Sequence, residues 1–284
     1  MINFVTLAQR LPGRREEFLG AARLLIEETT RVLGRPRQDE GVDFVGMRIG
    51  KVEARRQSDF GMEYDGMYWH YTVMWLFALL RYARAANDDA YLQRAIVLVE
   101  NVHPRFFDGN GIRWKLNTDA SPIVGFSRAR PSDDALSAYI LYQLLAAHKE
   151  VLEKPISDLV PVVERLPPRV TADPLGFGLA YWKLQWLTGS KANAERRDLH
   201  YLANEALAPD MSLPFRLYGA IIGAKLPRDP TLENLADNVL NRVAPTQLKQ
   251  AYGPHSAINK VMFAAALDPL GFQRLPDEPD IPFI

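Results

Sequence analysis

The residues best equipped for chemistry in this chain are carboxylates and imidazoles set among aromatic rings. The densest group is Met62-Glu63-Tyr64-Asp65-Gly66-Met67-Tyr68-Trp69-His70-Tyr71, which leads straight into the apolar stretch Thr72 to Ala86. A carboxylate and an imidazole beside four rings, at the start of a segment too apolar to face water, mark a candidate site. Asp119, Asp134 and His255 carry the same functional groups further along. Two chemistries are open to such a set. Paired carboxyl groups, one protonated and one ionised, hydrolyse glycosidic bonds, with retention at a separation of ~5 Å and inversion at ~6.5–9.5 Å. Asp65 with Asp119 or Asp134 is the pair the sequence offers. A histidine, with an ordinary pKa of ~6.5, instead takes a proton from the carbon beside a carbonyl, the step that epimerises or isomerises a sugar. His255, together with His70, is the candidate base.

Each residue also has a structural reading. Asp65 before Gly66, Asp133-Asp134 after Ser132, and Asp173 before Pro174 have the form of helix N-caps. Asp119 suits a turn. His70 suits a buried, hydrogen-bonded position. Trp69, Tyr71, Trp75, Tyr82, Trp182 and Trp186 recur at the helical spacing of core residues.

The elements that position these groups follow from periodicity. Arg14 to Leu33 predicts an amphipathic helix with Phe18, Ala22, Leu25 and Ile26 on one face, stopped by Gly34 and Pro36. Residues 35 to 65 read as irregular, with a short extended piece at Val42 to Ile49. Gly66 to Ala86 predicts an apolar helix, Asn87-Asp88-Asp89 a tight turn, and Ala90 to Val102 an antiparallel partner. Pro104 to Pro131 breaks the pattern, and an insertion of that length is often functional. Helices resume at Ser132 to Lys149, Ile156 to Leu166 (shortened or kinked by Pro161), Pro174 to Thr188, Lys191 to Leu207, Leu213 to Lys225, Leu232 to Val243 and His255 to Leu267. The tail from Asp268, with four prolines, predicts an extended arm on the surface.

Helices with apolar or aromatic starts recur near 66, 132, 173, 212 and 254, about 40 residues apart once the insertion is allowed for. More polar helices alternate with them, as expected of two concentric helical layers. The helix at 14–33 lacks a predecessor and the one at 255–267 lacks a successor. Closing a ring would pair them, in one domain over 1–284.

Composition narrows the function classes. With 284 residues, 48% of them hydrophobic, the chain can bury a large core. Lys plus Arg and Asp plus Glu are both 34, a balance that argues against a nucleic-acid binder. There is no cysteine, which excludes disulfides, thiolate metal sites and cysteine nucleophiles. Met1 to Leu11 lacks the form of a secretion signal, and the apolar run at Met67 to Leu80 is shorter than the ~20 residues of a membrane span. A soluble cytoplasmic protein is expected.

The run Tyr68-Trp69-His70-Tyr71 into Trp75-Leu76-Phe77-Ala78-Leu79-Leu80-Arg81-Tyr82-Ala83, then Asn87-Asp88-Asp89-Ala90-Tyr91-Leu92, and Pro254-His255-Ser256-Ala257-Ile258-Asn259-Lys260 opening the last apolar helix, resembles the α/α-toroid, six-hairpin glycosidase-like enzymes. That group also contains sugar epimerases and isomerases. The resemblance covers roughly 62 to 267. It implies an all-α toroid, or barrel, of about five to six helical hairpins, with its pocket over the N-terminal ends of the inner helices. Tyr64, Trp69, His70, Trp114, Lys115, Arg128, Tyr181 and Tyr252 would then contact the substrate, around Asp65, Asp119, Asp134 and His255. Rings cover the C–H faces of a sugar and carboxylates accept its hydroxyl protons. The reading is of a carbohydrate-active enzyme, first a two-carboxylate glycoside hydrolase, then a histidine-based epimerase or isomerase. A non-catalytic helical-repeat binding scaffold is the third reading. The ligand is a small sugar-like molecule. No cofactor or metal is called for, since the sequence has no phosphate-binding glycine loop, no H-E-x-x-H and no nucleophile elbow.

Overall fold

The computed structural model describes residues 1–37, 46–52, 64–123, 133–148, 151–167, 170–249 and 255–284, with backbone only at 247–249. The chain is mainly α-helical and divides into two compact units, Met1–Leu166 and Pro167–Ile284. No helix among the described residues is long and apolar enough to cross a membrane.

The first unit consists of three helical hairpins. Helices α1 (Ile2–Arg10) and α2 (Arg15–Leu33) are joined by a single 3₁₀ turn, α3 (Trp69–Ala86) is followed by α4 (Asp89–Phe106), and α5 (Asp133–Ala146) by α6 (Glu153–Glu164). Helix α3 packs against both α1 and α5, while α4 packs against α6. α3 and α5 are buried on almost every side, whereas α2 and α6 bury one stripe each: Phe18, Leu19, Ala22 and Ile26 in the first, Leu159, Val162 and Val163 in the second. Asn87, in the left-handed conformation at φ 53°, ends α3, and the Asp88 carboxylate accepts from the Ala90 N–H to start α4.

Helix α1 lies ahead of the first helix that periodicity marks. It has only nine residues, and it places Ile2, Val5 and Ala8 against α2 and α3. The helix at 14–33 therefore does have a preceding partner, and that premise for ring closure falls. The apolar helix starts at Trp69 rather than Gly66. Met67–Tyr68 (β1) pairs antiparallel with Lys115–Leu116 (β2), and Tyr68 N–H donates to the Met47 carbonyl on the other side, so strand bonds hold these two residues. Helix α4 runs past Pro104 to Phe106, because a proline in the last turn withdraws only one bond, from the exposed Glu100 carbonyl. Helix α6 contains Pro161 and ends at Glu164, two residues short of the expected Leu166.

In the second unit, helix α9 (Pro214–Lys225) packs on α7 (Pro174–Leu184) and on α11 (Ser256–Leu267), with α8 (Ser190–Ala206) and α10 (Pro230–Lys249) alongside. Glycines allow α7 and α9 to touch along their backbones. A Cβ on Gly178 would lie 2.1 Å from the Gly219 carbonyl oxygen, and one on Gly223 only 2.4 Å from the Gly178 Cα. α7 stops at Leu184, short of Thr188, because Leu187–Thr188 (β3) pairs in parallel with Ile281–Pro282 (β4). The tail is thus docked, not a surface arm. Ile281 and Phe283 are buried, and the buried Glu278 carboxylate accepts from the Trp186 indole at 2.8 Å.

Candidate functional site

The β1–β2 ladder builds a cluster at the head of α3. Pairing sets Tyr68 opposite Lys115. The Lys115 ammonium, 3% exposed as a residue, donates to the Tyr64 carbonyl at 3.1 Å and lies 4.9 Å from the Tyr68 ring centre. Only a residue without a side chain fits beside it, since a Cβ on Gly66 would meet Lys115 Cε and the Leu116 oxygen at 2.6 Å. The Tyr68 ring meets Trp114 edge-on at 5.4 Å and Tyr71 at 5.7 Å, and Tyr71 is 6.1 Å from the His70 ring. Tyr71 is 38% exposed, His70 and Trp114 partly so. Burial of its hydroxyl end pushes the Tyr71 pKa up. Trp69 is fully buried: its backbone N–H donates to the Trp114 carbonyl and its indole to the Asp134 carbonyl, both at 3.0 Å. Six of the residues singled out from the sequence, Tyr64, Trp69, His70, Trp114, Lys115 and Asp134, are therefore linked in one place. Tyr68, the hub of the ring contacts, was given no role by periodicity, because an exposed ligand platform and a core ring share the same spacing.

The carboxylates fare differently. The β1–β2 ladder pairs Met67 with Leu116 and Tyr68 with Lys115, and Asp65 and Asp119 lie outside it. Both acids are engaged where they stand. Asp65 is completely buried; one oxygen pairs with Arg48 and lies 3.7 Å from Arg37, and the other accepts from the Gly50 and Gly66 N–H groups at 2.8 and 3.1 Å. Arg48 also donates to the carbonyls of Val32 and Arg35, so the pair ties the end of α2 to the head of α3. Asp65 is not the cap of α3, whose N-cap residue is Tyr68. Asp119 is an exposed turn residue, its Oδ1 accepting from the Ser121 N–H at 2.9 Å and hydroxyl at 2.6 Å. Partial burial works to raise its pKa, and the Ser121 bonds outweigh that and leave it below the ordinary value. Asp134 lies half-buried in the first turn of α5, where a helix N-terminus favours a carboxylate.

The second unit contains His255 and Tyr181. His255 is exposed at the N-cap of α11, its ring 6.2 Å from Phe215. Tyr181 is buried, and burial pushes its hydroxyl up to about 12. It lines a cleft of ≈ 280 Å³ with Leu184, Gln185 and Leu226, at the C-terminal ends of α7 and α9. A cleft of ≈ 270 Å³ in the first unit, lined by Leu80, Asn87 and His148 among others, likewise lies at the C-terminal end of α3. Both are at the opposite helix ends from those the resemblance implies. Asp173 caps α7, accepting from the Gly176 N–H at 2.8 Å, and pairs with Arg216. Arg128 and Tyr252 fall outside the described residues, as does the first half, 42–45, of the extended piece expected at 42–49.

A histidine outside the candidate set lies in the core of the first unit. His103 is buried between the Tyr142 hydroxyl at Nδ1 and Asp158 at Nε2, each at 3.4 Å, and burial pulls its pKa down against the pull of Asp158 upward. Its signal was its place at the end of an apolar helical stripe, four residues after Val99. Among the described residues, no group of three or more His, Asp or Glu is placed to hold a metal.

No protein family, curated protein or solved structure matches this chain.

Proposed function

We propose that the chain is a carbohydrate-active enzyme whose ligand is seated at the head of α3. The observation that carries this reading is the joined set of Tyr68, Tyr71 and Trp114, with His70 and Lys115 against it. Aromatic faces suit the C–H surfaces of a sugar, and the charged and imidazole groups suit its hydroxyls. Between the two chemistries, the engaged state of Asp65 and Asp119 favours proton transfer by His70 over hydrolysis by a carboxylate pair. In that mechanism His70 takes the proton from the carbon beside the sugar carbonyl, the Lys115 ammonium meets the oxygen on which negative charge develops, and His70 returns the proton to carbon. The layering of buried and half-exposed helices within each unit supports an α/α-toroid architecture.

The test uses the whole chain with a panel of free aldoses and ketoses in deuterated water, followed by NMR. Solvent deuterium entering the carbon beside the carbonyl, and at least 100-fold less of it in His70→Gln with unchanged melting, supports the reading, a loss at the low end of what a general base contributes, ~10²–10⁴-fold. Release of reducing ends from glycosides without exchange replaces it by hydrolysis. Sugar-dependent tryptophan fluorescence with neither reaction replaces it by a binding scaffold. A scattering profile of an elongated particle would count against the toroid.

A further inference from the structure

The cleft of the second unit has an arginine wall. Arg196 comes from α8, Arg228 from the turn between α9 and α10, and Arg274 from the tail. Two of them have structural duties. Arg196 donates to the Leu184 and Leu187 carbonyls and to Asn193 Oδ1, and Arg274 to the Gln185 and Glu278 carbonyls and to Asp280. These bonds serve the C-terminal end of α7, where cations are favoured.

Arg228 has no such duty. Its bond is to the neutral Gln273 Oε1 at 3.1 Å, so most of its five N–H groups are open to a ligand. It also sits in the left-handed region at φ 55°, a conformation that costs a side-chain-bearing residue something to adopt. Neither Arg196 nor Arg228 has a carboxylate within ion-pair distance among the described residues. Three acids stand near the cleft: Asp280 is bound to Arg274, Asp229 caps α10 through the Thr231 and Leu232 N–H groups, and the buried Glu278 carboxylate accepts from the Trp186 indole and the Leu275 N–H. The guanidiniums of Arg196 and Arg228 are thus matched by neutral groups alone. Arg196 also feels its cationic neighbour, since burial and then the Arg274 charge press its pKa down. An anion between those two would relieve that repulsion.

We propose that this cleft binds a small dianion of the phosphate-monoester class, held by Arg228 and the remaining N–H groups of Arg196 and Arg274, with the Tyr181 hydroxyl as a neutral donor. The volume of ≈ 280 Å³ is at the small end of ligand cavities, which run from ~300 Å³ upward, and admits a compact phosphorylated molecule. A planar carboxylate satisfies one guanidinium fork. Three arginines that line one cleft from three separate segments suit a tetrahedral group that accepts from several directions. The site stands independently of the one at the head of α3.

The whole chain is titrated with inorganic phosphate by calorimetry, and its melting temperature followed, at constant ionic strength set with chloride. Saturable binding, a melting temperature that rises with phosphate, and at least tenfold weaker binding in Arg228→Gln with unaltered melting in the absence of phosphate are expected. Succinate under the same conditions binds at least tenfold more weakly. Absence of saturable binding, an Arg228→Gln protein that titrates like the parent, or succinate binding as tightly as phosphate overturns the proposal. If Arg228→Gln fails to fold, Arg228→Lys, which keeps the charge and loses the fork, makes the same comparison.

Discussion

At the head of α3 a buried negative charge is surrounded by positive and N–H groups; in the cleft of the second unit, two of three positive charges, Arg196 and Arg228, face only carbonyl and amide oxygens. Asp65 has Arg48, Arg37 and two backbone donors on its two oxygens. Arg228 has one amide oxygen. A buried ion that is fully matched has little left to offer a ligand, and removing one partner strands the other in a medium that solvates it poorly. An ion matched only by neutral groups retains its field for an external partner. The same chemical type thus serves as an anchor in one unit and as a recognition group in the other.

The largest effect should come from breaking the anchor. Asp65→Asn leaves the half-buried Arg48 without its counter-charge and should lose about 3 kcal/mol in urea denaturation, the low end for breaking a buried pair. Arg228→Gln, at the surface, should stay within about 0.5 kcal/mol of the parent by the same measurement. A loss below about 1 kcal/mol for Asp65→Asn would return that carboxylate to the list of candidate acids and undo the preference for histidine chemistry, since such a loss is no larger than an exposed pair gives.

Next comes packing, where the units also differ. α3 and α5 meet through large side chains such as Trp69, whereas α7 and α9 meet backbone to backbone at Gly178, Gly219 and Gly223. Gly178→Ala should cost about 3 kcal/mol, the upper end for overpacking, because its methyl would collide with a carbonyl oxygen that cannot swing aside. Gly20→Ala in α2 meets nothing within 4 Å and should stabilise by about 0.5–1 kcal/mol. Equal effects at the two positions, in thermal melts, would mean that α7 and α9 are not in backbone contact.

The contrast also separates what the sequence reveals from what it conceals. Helices α2 to α11 are legible because each either repeats an apolar stripe over several turns or, like α3 and α5, is apolar nearly all round. Helix α1 is only nine residues long, too short for its stripe to stand out, and it is held by tertiary contacts. The head of α3 was legible as a cluster of residue types. Its division into roles was not, because the engagement of Asp65 depends on Arg48 and Arg37, which no periodicity pairs with it. The tail misled for a like reason. Four prolines suggest an extended arm, and an extended arm is also what a strand needs in order to pair with Leu187–Thr188. The arginine cleft draws on α8, a turn and that tail, so no local pattern announces it.

The docked tail offers a smaller test that reaches both features of the second unit. Glu278→Ala leaves the buried Trp186 indole and the Leu275 N–H without their acceptor, at about 2 kcal/mol by urea denaturation. Because Arg274 donates to the Glu278 carbonyl, the same change should loosen the cleft and weaken phosphate binding. Glu278→Gln keeps an oxygen for the indole and should do less of both. Phosphate affinity unmoved by Glu278→Ala, despite lost stability, would detach Arg274 from the site.

The smallest effect is a pH dependence in the first unit. His103 faces Tyr142 from α5, Asp158 and Lys154 from α6, and stacks on Phe107. Burial lowers its pKa, with Lys154 adding in the same direction, while its bond to Asp158 works the other way and loses. The folded state therefore favours the neutral ring. The unfolded chain takes up the proton more readily below pH ~6.5. This contribution is fully present above that value and is lost as pH falls towards the lowered folded pKa. Asp158, held below its ordinary value by Lys154 and His103 in spite of burial, adds a second loss only at lower pH, in the carboxylate range. Melting temperature measured from pH 7.5 to 5 should decline below about 6.5 in the parent, the ordinary histidine value. The decline should be shallower over that range in His103→Gln, which stays neutral. Parallel curves would mean that the buried ring accepts its proton as easily as a free one, and that Asp158, not burial, governs it.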